Sequence, residues 1–175
     1  MAKIAMIGAG SLVFCKTLVM DILATEALQD SEICLMNRTK PKLDRMEAFV
    51  KKVIQENKVP ATVTATLDRR QALNGAKYVI IMIQVGGFDA FGEDYQIPMK
   101  YGVDQCIGDS LGPGGVFRAL RTIPVLVDIA ADMKELCPDA IMLNYANPMG
   151  ACCSGLAQVT DIPFVGLCHG VQTTL

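Results

Sequence analysis

The chain has a single histidine, His169, and charged residues fill only 19% of its 175 positions. Lysine and arginine are nowhere clustered and the formal net charge is -2, so neither a nucleic-acid face nor one for an anionic membrane is expected. Low-complexity segments and internal repeats are missing. So is an apolar run long enough to span a bilayer, and no basic segment leads into one near Met1; a secretion signal and a transmembrane helix are therefore not expected. Disulfide scaffolding is missing too. The cysteines number seven, an odd count, and are scattered without scaffold spacing, which points to reduced thiols and a cytoplasmic setting. What the chain does have is apolar material. At 51% hydrophobic it can bury a sizeable core within a single domain spanning 1–175.

That core is organised around the first strand and its turn. Ile4 to Ile7 is a short apolar run suited to a central parallel strand. Gly8-Ala9-Gly10-Ser11 follows, where glycine lets the backbone turn sharply and approach a ligand closely. Ser11 is placed to cap a helix running to about Glu26, with Leu12, Leu18, Val19, Ile22 and Leu23 on its apolar face. A strand, a G-x-G turn and a helix N-terminus aimed into that turn make a pyrophosphate site, because N–H groups and the helix dipole both favour an anion there. The third glycine of G-x-G-x-x-G is replaced by Val13, so the motif by itself is weak. Its position, with a second strand at the right distance, points to a bound nicotinamide dinucleotide.

The second strand, Ile33 to Met36, ends at Asn37-Arg38. In a dinucleotide fold this strand end meets the adenosine ribose, where an acidic residue usually grips the 2′-hydroxyl. Asn37 can still hydrogen-bond a hydroxyl, while Arg38 and Lys40 make the local charge positive and tolerate a 2′-phosphate. NAD and NADP are both open at this point. Pro41 opens the next helix, Thr62 to Thr66 is a third strand, Asp68 caps a helical turn, and Tyr78 to Ile83 reads as a fourth strand buried on both faces.

The stretch from Phe88 to Gly115 reads as a long functional loop with a helical turn around Tyr95 to Tyr101. It closes in a glycine-dense run suited to wrapping a ligand, beside which Asp109 is a candidate for hydrogen-bonding a sugar or an amide. A helix from Val116 to about Leu136 follows, which Pro124 should kink or split. Arg118 and Arg121 share one face of it and suit a carboxylate or phosphate. Ala140 to Leu143 is a fifth strand, and it leads to Asn147, which can offer a donor and an acceptor to a polyhydroxylated ligand. Phe164 to Leu167 is the sixth and runs into Cys168-His169, where a thiolate suits a divalent metal and histidine a ligand or proton donor. Taken locally, a buried cysteine and a partnered histidine fit these two residues better. Strands alternating with helices imply a doubly wound, Rossmann-type α/β sheet in the order 3-2-1-4-5-6.

Gly8-Ala9-Gly10-Ser11, Gly112-Pro113-Gly114-Gly115-x-x-Arg118-Ala119-Leu120-Arg121-Thr122, Asn144-Tyr145-Ala146-Asn147-Pro148-Met149 and Gly166-Leu167-Cys168-His169 together resemble the family 4 glycoside hydrolases, and among them the α-galactosidase branch. The resemblance covers essentially the whole chain. It implies a glycosidase outside the usual two-carboxylate mechanism, acting on a small-molecule glycoside. NAD takes hydride from C3 of the sugar, a divalent metal (usually manganese) polarises the resulting ketone, a base removes the C2 proton, and the aglycone is eliminated before water adds and the hydride returns. By matching position it implies Cys168 as metal ligand, His169 as proton donor to the leaving group, Asn147 near the oxidised carbon, and the glycines at 8 and 10 at the pyrophosphate. It also implies a homo-oligomer at full length.

Two departures are visible. The family's chains are considerably longer, with a second metal-binding histidine and the catalytic base beyond Leu175, so these 175 residues are expected to bind dinucleotide without hydrolysing glycosides. Asn37 stands where close relatives carry Asp. The alternatives are a dehydrogenase of the lactate/malate type and a non-catalytic nucleotide-binding remnant.

Overall fold

The computed structural model describes residues 1–11, 13–106, 108–168 and 170. Its centre is a parallel sheet in the order β3-β2-β1-β4-β5-β6, built from β1 (Lys3–Ile7), β2 (Glu32–Met36), β3 (Thr62–Thr66), β4 (Tyr78–Ile81), β5 (Ile141–Asn144) and β6 (Phe164–Gly166). This is the doubly wound order expected from the sequence. The order reverses between β1 and β4, which pair in register from Ile4 with Tyr78 to Ile7 with Ile81.

Alternation along β1 divides the interior. Ile4 and Met6 join Val19, Met46 and Val50 beneath α1 (Phe14–Ala24) and α2 (Lys40–Asn57). Ala5 and Ile7 face the other way, towards Leu126, Ile129, Met133 and Leu156 of α5 (Gly112–Leu136) and α6 (Met149–Ala157). Both faces are buried because each crossover lays a helix on the sheet, so β1 is a continuous apolar run rather than an alternating one. The short α3 (Arg69–Leu73) carries the expected cap: Asp68 accepts the Arg70 N–H at 2.9 Å.

The structure departs from the sequence reading in α4 and α5. Residues Gly87–Met99 form a helix, α4, and not a loop with a single turn. Its inward face is Ala90, Asp94, Ile97 and Pro98, a helical spacing that a buried acid hides from a count of apolar residues. The glycine-dense run is the first turn of α5 itself, which begins at Gly112. Nor does Pro124 split α5, which is assigned as one helix of 25 residues. Pro124 and Leu120 are both exposed, so water can take the Leu120 carbonyl that the proline leaves without its N–H partner. No helix among the described residues is long and apolar enough to cross a membrane.

Candidate functional site: a dinucleotide turn at the strand ends

The carboxyl ends of β1, β2, β4 and β5 meet at the point where strand order reverses, the place where doubly wound sheets bind ligands. Gly8 has φ +94°, and a Cβ there would stand 2.6 Å from the Met82 carbonyl oxygen and 3.2 Å from Cγ2 of Ile83. The Gly8 and Ala9 N–H groups both donate to the Met36 carbonyl at 2.9 Å, which ties the turn to the end of β2. A Cβ on Gly10 would overlap the Asn37 side-chain amide and lie 3.3 Å from Cβ of Lys42. Ser11 Oγ accepts the Phe14 N–H at 3.2 Å, although the residue immediately before α1 is Val13 and not Ser11. Gly8, Ala9, Gly10, Ser11, Asn37 and Arg38 are thus brought together by the fold. Asn37 is braced by its neighbours, with Oδ1 accepting the Arg38 N–H at 3.0 Å and Nδ2 donating to the Thr39 carbonyl at 3.4 Å.

Asn147 and Cys168 leave neighbouring strands. Asn144 and Gly166 are register partners, and the Leu167 N–H donates to the Asn144 carbonyl at 2.9 Å. Asn144 is fully buried and closes the turn that delivers Asn147, its Oδ1 accepting the Ala146 N–H at 3.1 Å. Asn147 is half-buried and Cys168 exposed; His169 lies outside the described residues. The Tyr145 ring lies 6.0 Å from that of Phe14, so the loop after β5 touches the first turn of α1 and adjoins the Gly8 to Ser11 turn. Burial, followed by the charge of Asp21, pushes the Tyr145 hydroxyl above its ordinary pKa.

The whole chain from residue 3 to 175 matches the profile of the family 4 glycosyl hydrolases. The chain belongs to that family. It is 44% identical over 171 residues to the α-galactosidase of Rhizobium meliloti (strain 1021), covering 97% of this chain and 35% of that protein. It is 42% identical over 173 residues to the α-glucosidase of Erwinia rhapontici, covering 98% of this chain and 38% of that one. Among solved structures it superposes with a TM-score of 0.89, at 26% identity, on the 6-phospho-β-glucosidase of Thermotoga maritima described with manganese, NAD+ and glucose-6-phosphate, over 99% of this chain and 41% of that one. The chain therefore spans well under half the length of these relatives.

The α4–α5 region is more tightly tied together than its sequence suggests. The glycines of the Gly112 to Gly115 run sit close against this chain's own atoms. A Cβ on Gly114 would meet the Asp94 carbonyl at 2.6 Å, and one on Gly115 the Ser110 carbonyl oxygen at 2.7 Å. Gln105 packs against the same run: Oε1 accepts the Gly114 N–H at 3.2 Å and would stand 2.9 Å from a Cβ on Gly112. The two arginines that suited an anionic ligand are taken up by this chain's own acids. Arg118 donates to Asp109 at 2.9 Å, and Arg121 donates to both oxygens of Asp94 at 2.6 and 2.8 Å. Asp109, expected to bind substrate, is thus first of all the partner of Arg118. Gln105 and Asp94 were not singled out from sequence. The signal was an isolated acid on the inward face of an otherwise apolar helical stripe.

Among the described residues no three His, Cys, Asp or Glu side chains converge as a metal site would need. Cys168 is then a single thiol donor, too few for a divalent ion.

Proposed function

We propose that this chain is the dinucleotide-binding part of a family 4 glycosidase acting on α-galactosides. The observation that carries the reading is the Gly8 to Ser11 turn, packed against Met82 and Asn37 with no room for a Cβ at either glycine. A backbone brought this close to the neighbouring strand ends leaves the helix N-terminus of α1 open to a pyrophosphate. The identity to an α-galactosidase supports the substrate class, and the Thermotoga 6-phospho-β-glucosidase and the Erwinia α-glucosidase show how widely substrates vary among relatives.

The residues fit the cofactor. Gly8, Gly10 and the first turn of α1 would hold the pyrophosphate, and Asn37 with Arg38 would meet the adenosine ribose. When bound, the dinucleotide supplies a hydride acceptor for oxidation at C3 of the sugar. Asn147, presented by the buried Asn144, would hydrogen-bond the sugar near that carbon. The described residues do not close a metal site. In this reading Cys168 contributes one ligand to a manganese or other divalent ion whose remaining ligands come from elsewhere, and His169 donates a proton to the leaving group.

Calorimetric titration of the 175-residue chain with NAD+ and with NADP+ tests the cofactor part. Saturable binding of either supports the reading, and binding of neither removes it. With p-nitrophenyl α-galactoside, NAD+, manganese and a reductant, this chain alone is expected to release no nitrophenol.

A further inference from the structure

The end of β2 carries cations and lacks the acid that usually selects NAD. Asn37 follows the end of β2, where a dinucleotide fold meets the adenosine ribose. Its amide lies directly against Gly10, and its Oδ1 is engaged by the Arg38 N–H. An aspartate there would repel a phosphate on the 2′-oxygen, whereas the neutral amide does not. Arg38 and Lys42 are both exposed, and neither forms an ion pair among the described residues. Lys42 rises from the first turns of α2 with its Cβ 3.3 Å from the position a Gly10 side chain would take. Its four-carbon stem therefore starts at the rim of the dinucleotide turn, within reach of a ribose held there.

The acids nearby are otherwise committed. Asp44 pairs with Lys40 at 2.8 Å, and Asp68, beyond the end of neighbouring β3, accepts the Arg70 N–H. Arg45 folds back towards the start of α2, donating to the Pro41 carbonyl at 3.3 Å. No acidic residue sits in the first turn of that helix. The rim is cationic where an NAD-selective site would be acidic.

We infer that the adenosine end of this site accepts a 2′-phosphorylated dinucleotide, with Arg38 and Lys42 as the phosphate's cationic partners. The inference rests on the dinucleotide reading above and goes beyond it by naming which dinucleotide. Charge-assisted contacts of this kind change affinity about tenfold or more.

The test is calorimetry on the 175-residue chain and its R38A, K42A and N37D variants, each titrated with NAD+ and NADP+. The expected result is NADP+ binding at least as tightly as NAD+ in the native chain. R38A and K42A should each weaken NADP+ about tenfold while moving NAD+ less than about twofold. N37D should reverse the preference, and added salt should erode the NADP+ advantage. NAD+ binding with NADP+ excluded overturns this inference and leaves the dinucleotide site standing. So does equal weakening of both cofactors by R38A and K42A. Failure of both cofactors to bind overturns the site and this inference together.

Discussion

Arg121 grips Asp94 with both ends of its guanidinium, at 2.6 and 2.8 Å, across the interface between α5 and α4. The Asp94 side chain is only 4% exposed. The same arginine lies 3.3 Å from where a Gly86 side chain would begin, and it reaches the Val85 carbonyl at 3.5 Å. It therefore fixes α4 and the loop leaving β4 at once. The bond to Asp94 holds the Arg121 pKa above its ordinary value, so the guanidinium keeps its charge.

Removing one partner strands a buried charge. Asp94→Asn is expected to lower stability by about 3 kcal/mol, the lower end for a broken buried pair because Arg121 is partly hydrated. Arg121→Lys keeps the charge but loses the two-pronged geometry, and should fall between native and Asp94→Asn. Urea unfolding midpoints check both; equal midpoints for all three proteins would show that the pair is not stabilising.

Gly8→Ala should abolish dinucleotide binding. The added methyl meets the Met82 carbonyl at 2.6 Å from a backbone with φ +94°, so turn and strand end must part. Gly150→Ala is the control: a Cβ there meets nothing within 4 Å, and this variant should bind as the native chain does. Calorimetry with NAD+ on the two variants reads the difference directly.

The first of these relationships was hidden from sequence and the second was open to it, for a physical reason. Gly8, Gly10, the strand order and the Asp68 cap follow from local chemistry: a positive φ, an apolar run, an oxygen placed at a helix start. The α4 helix does not, because its inward stripe contains Asp94, and only Arg121, 27 positions away, makes that acid compatible with burial. Likewise the contact of Gln105 with the Gly112 to Gly115 run joins residues that no local pattern links. Glycine announces close approach without saying to what.

Gln105→Leu should therefore loosen the 105–114 segment. The Gly114 N–H would lose its acceptor, at a cost of about 1–3 kcal/mol if it stays buried. Hydrogen exchange should rise at Gly114 and its neighbours while β1 and β4 keep their protection. Acceleration spread evenly over the sheet would contradict this placement.

Thiol chemistry should divide by burial. Burial pushes the Cys15 thiol up to about 12, and burial together with neighbouring Cys153 pushes that of Cys152 up to about 11, with Arg118 opposing. Cys106 and Cys168 are exposed. Iodoacetamide at mildly alkaline pH should label Cys106 and Cys168 well before Cys15 or Cys152, as peptide mass spectrometry would show. Because the two buried pKa values lie above the ordinary 9.0, the unfolded chain loses these protons first. Stability is full below pH 9 and declines as pH climbs towards 12, by at most about 1.4 kcal/mol per pH unit from Cys15. A flat stability between pH 9 and 11 would count against the buried, neutral thiols.

The reversal of strand order has a consequence for how the chain assembles. Residues up to Thr66 contain all of β3-β2-β1. In that half-sheet β1 is an open edge, and Gly8, already bonded to Met36, lacks the Met82 and Ile83 side of its packing. The nucleotide turn is therefore the seam between two halves that form from separate stretches of sequence. A dinucleotide lying across it would act as a clasp, binding only when the halves have met and drawing the folding equilibrium towards the joined state in proportion to its concentration.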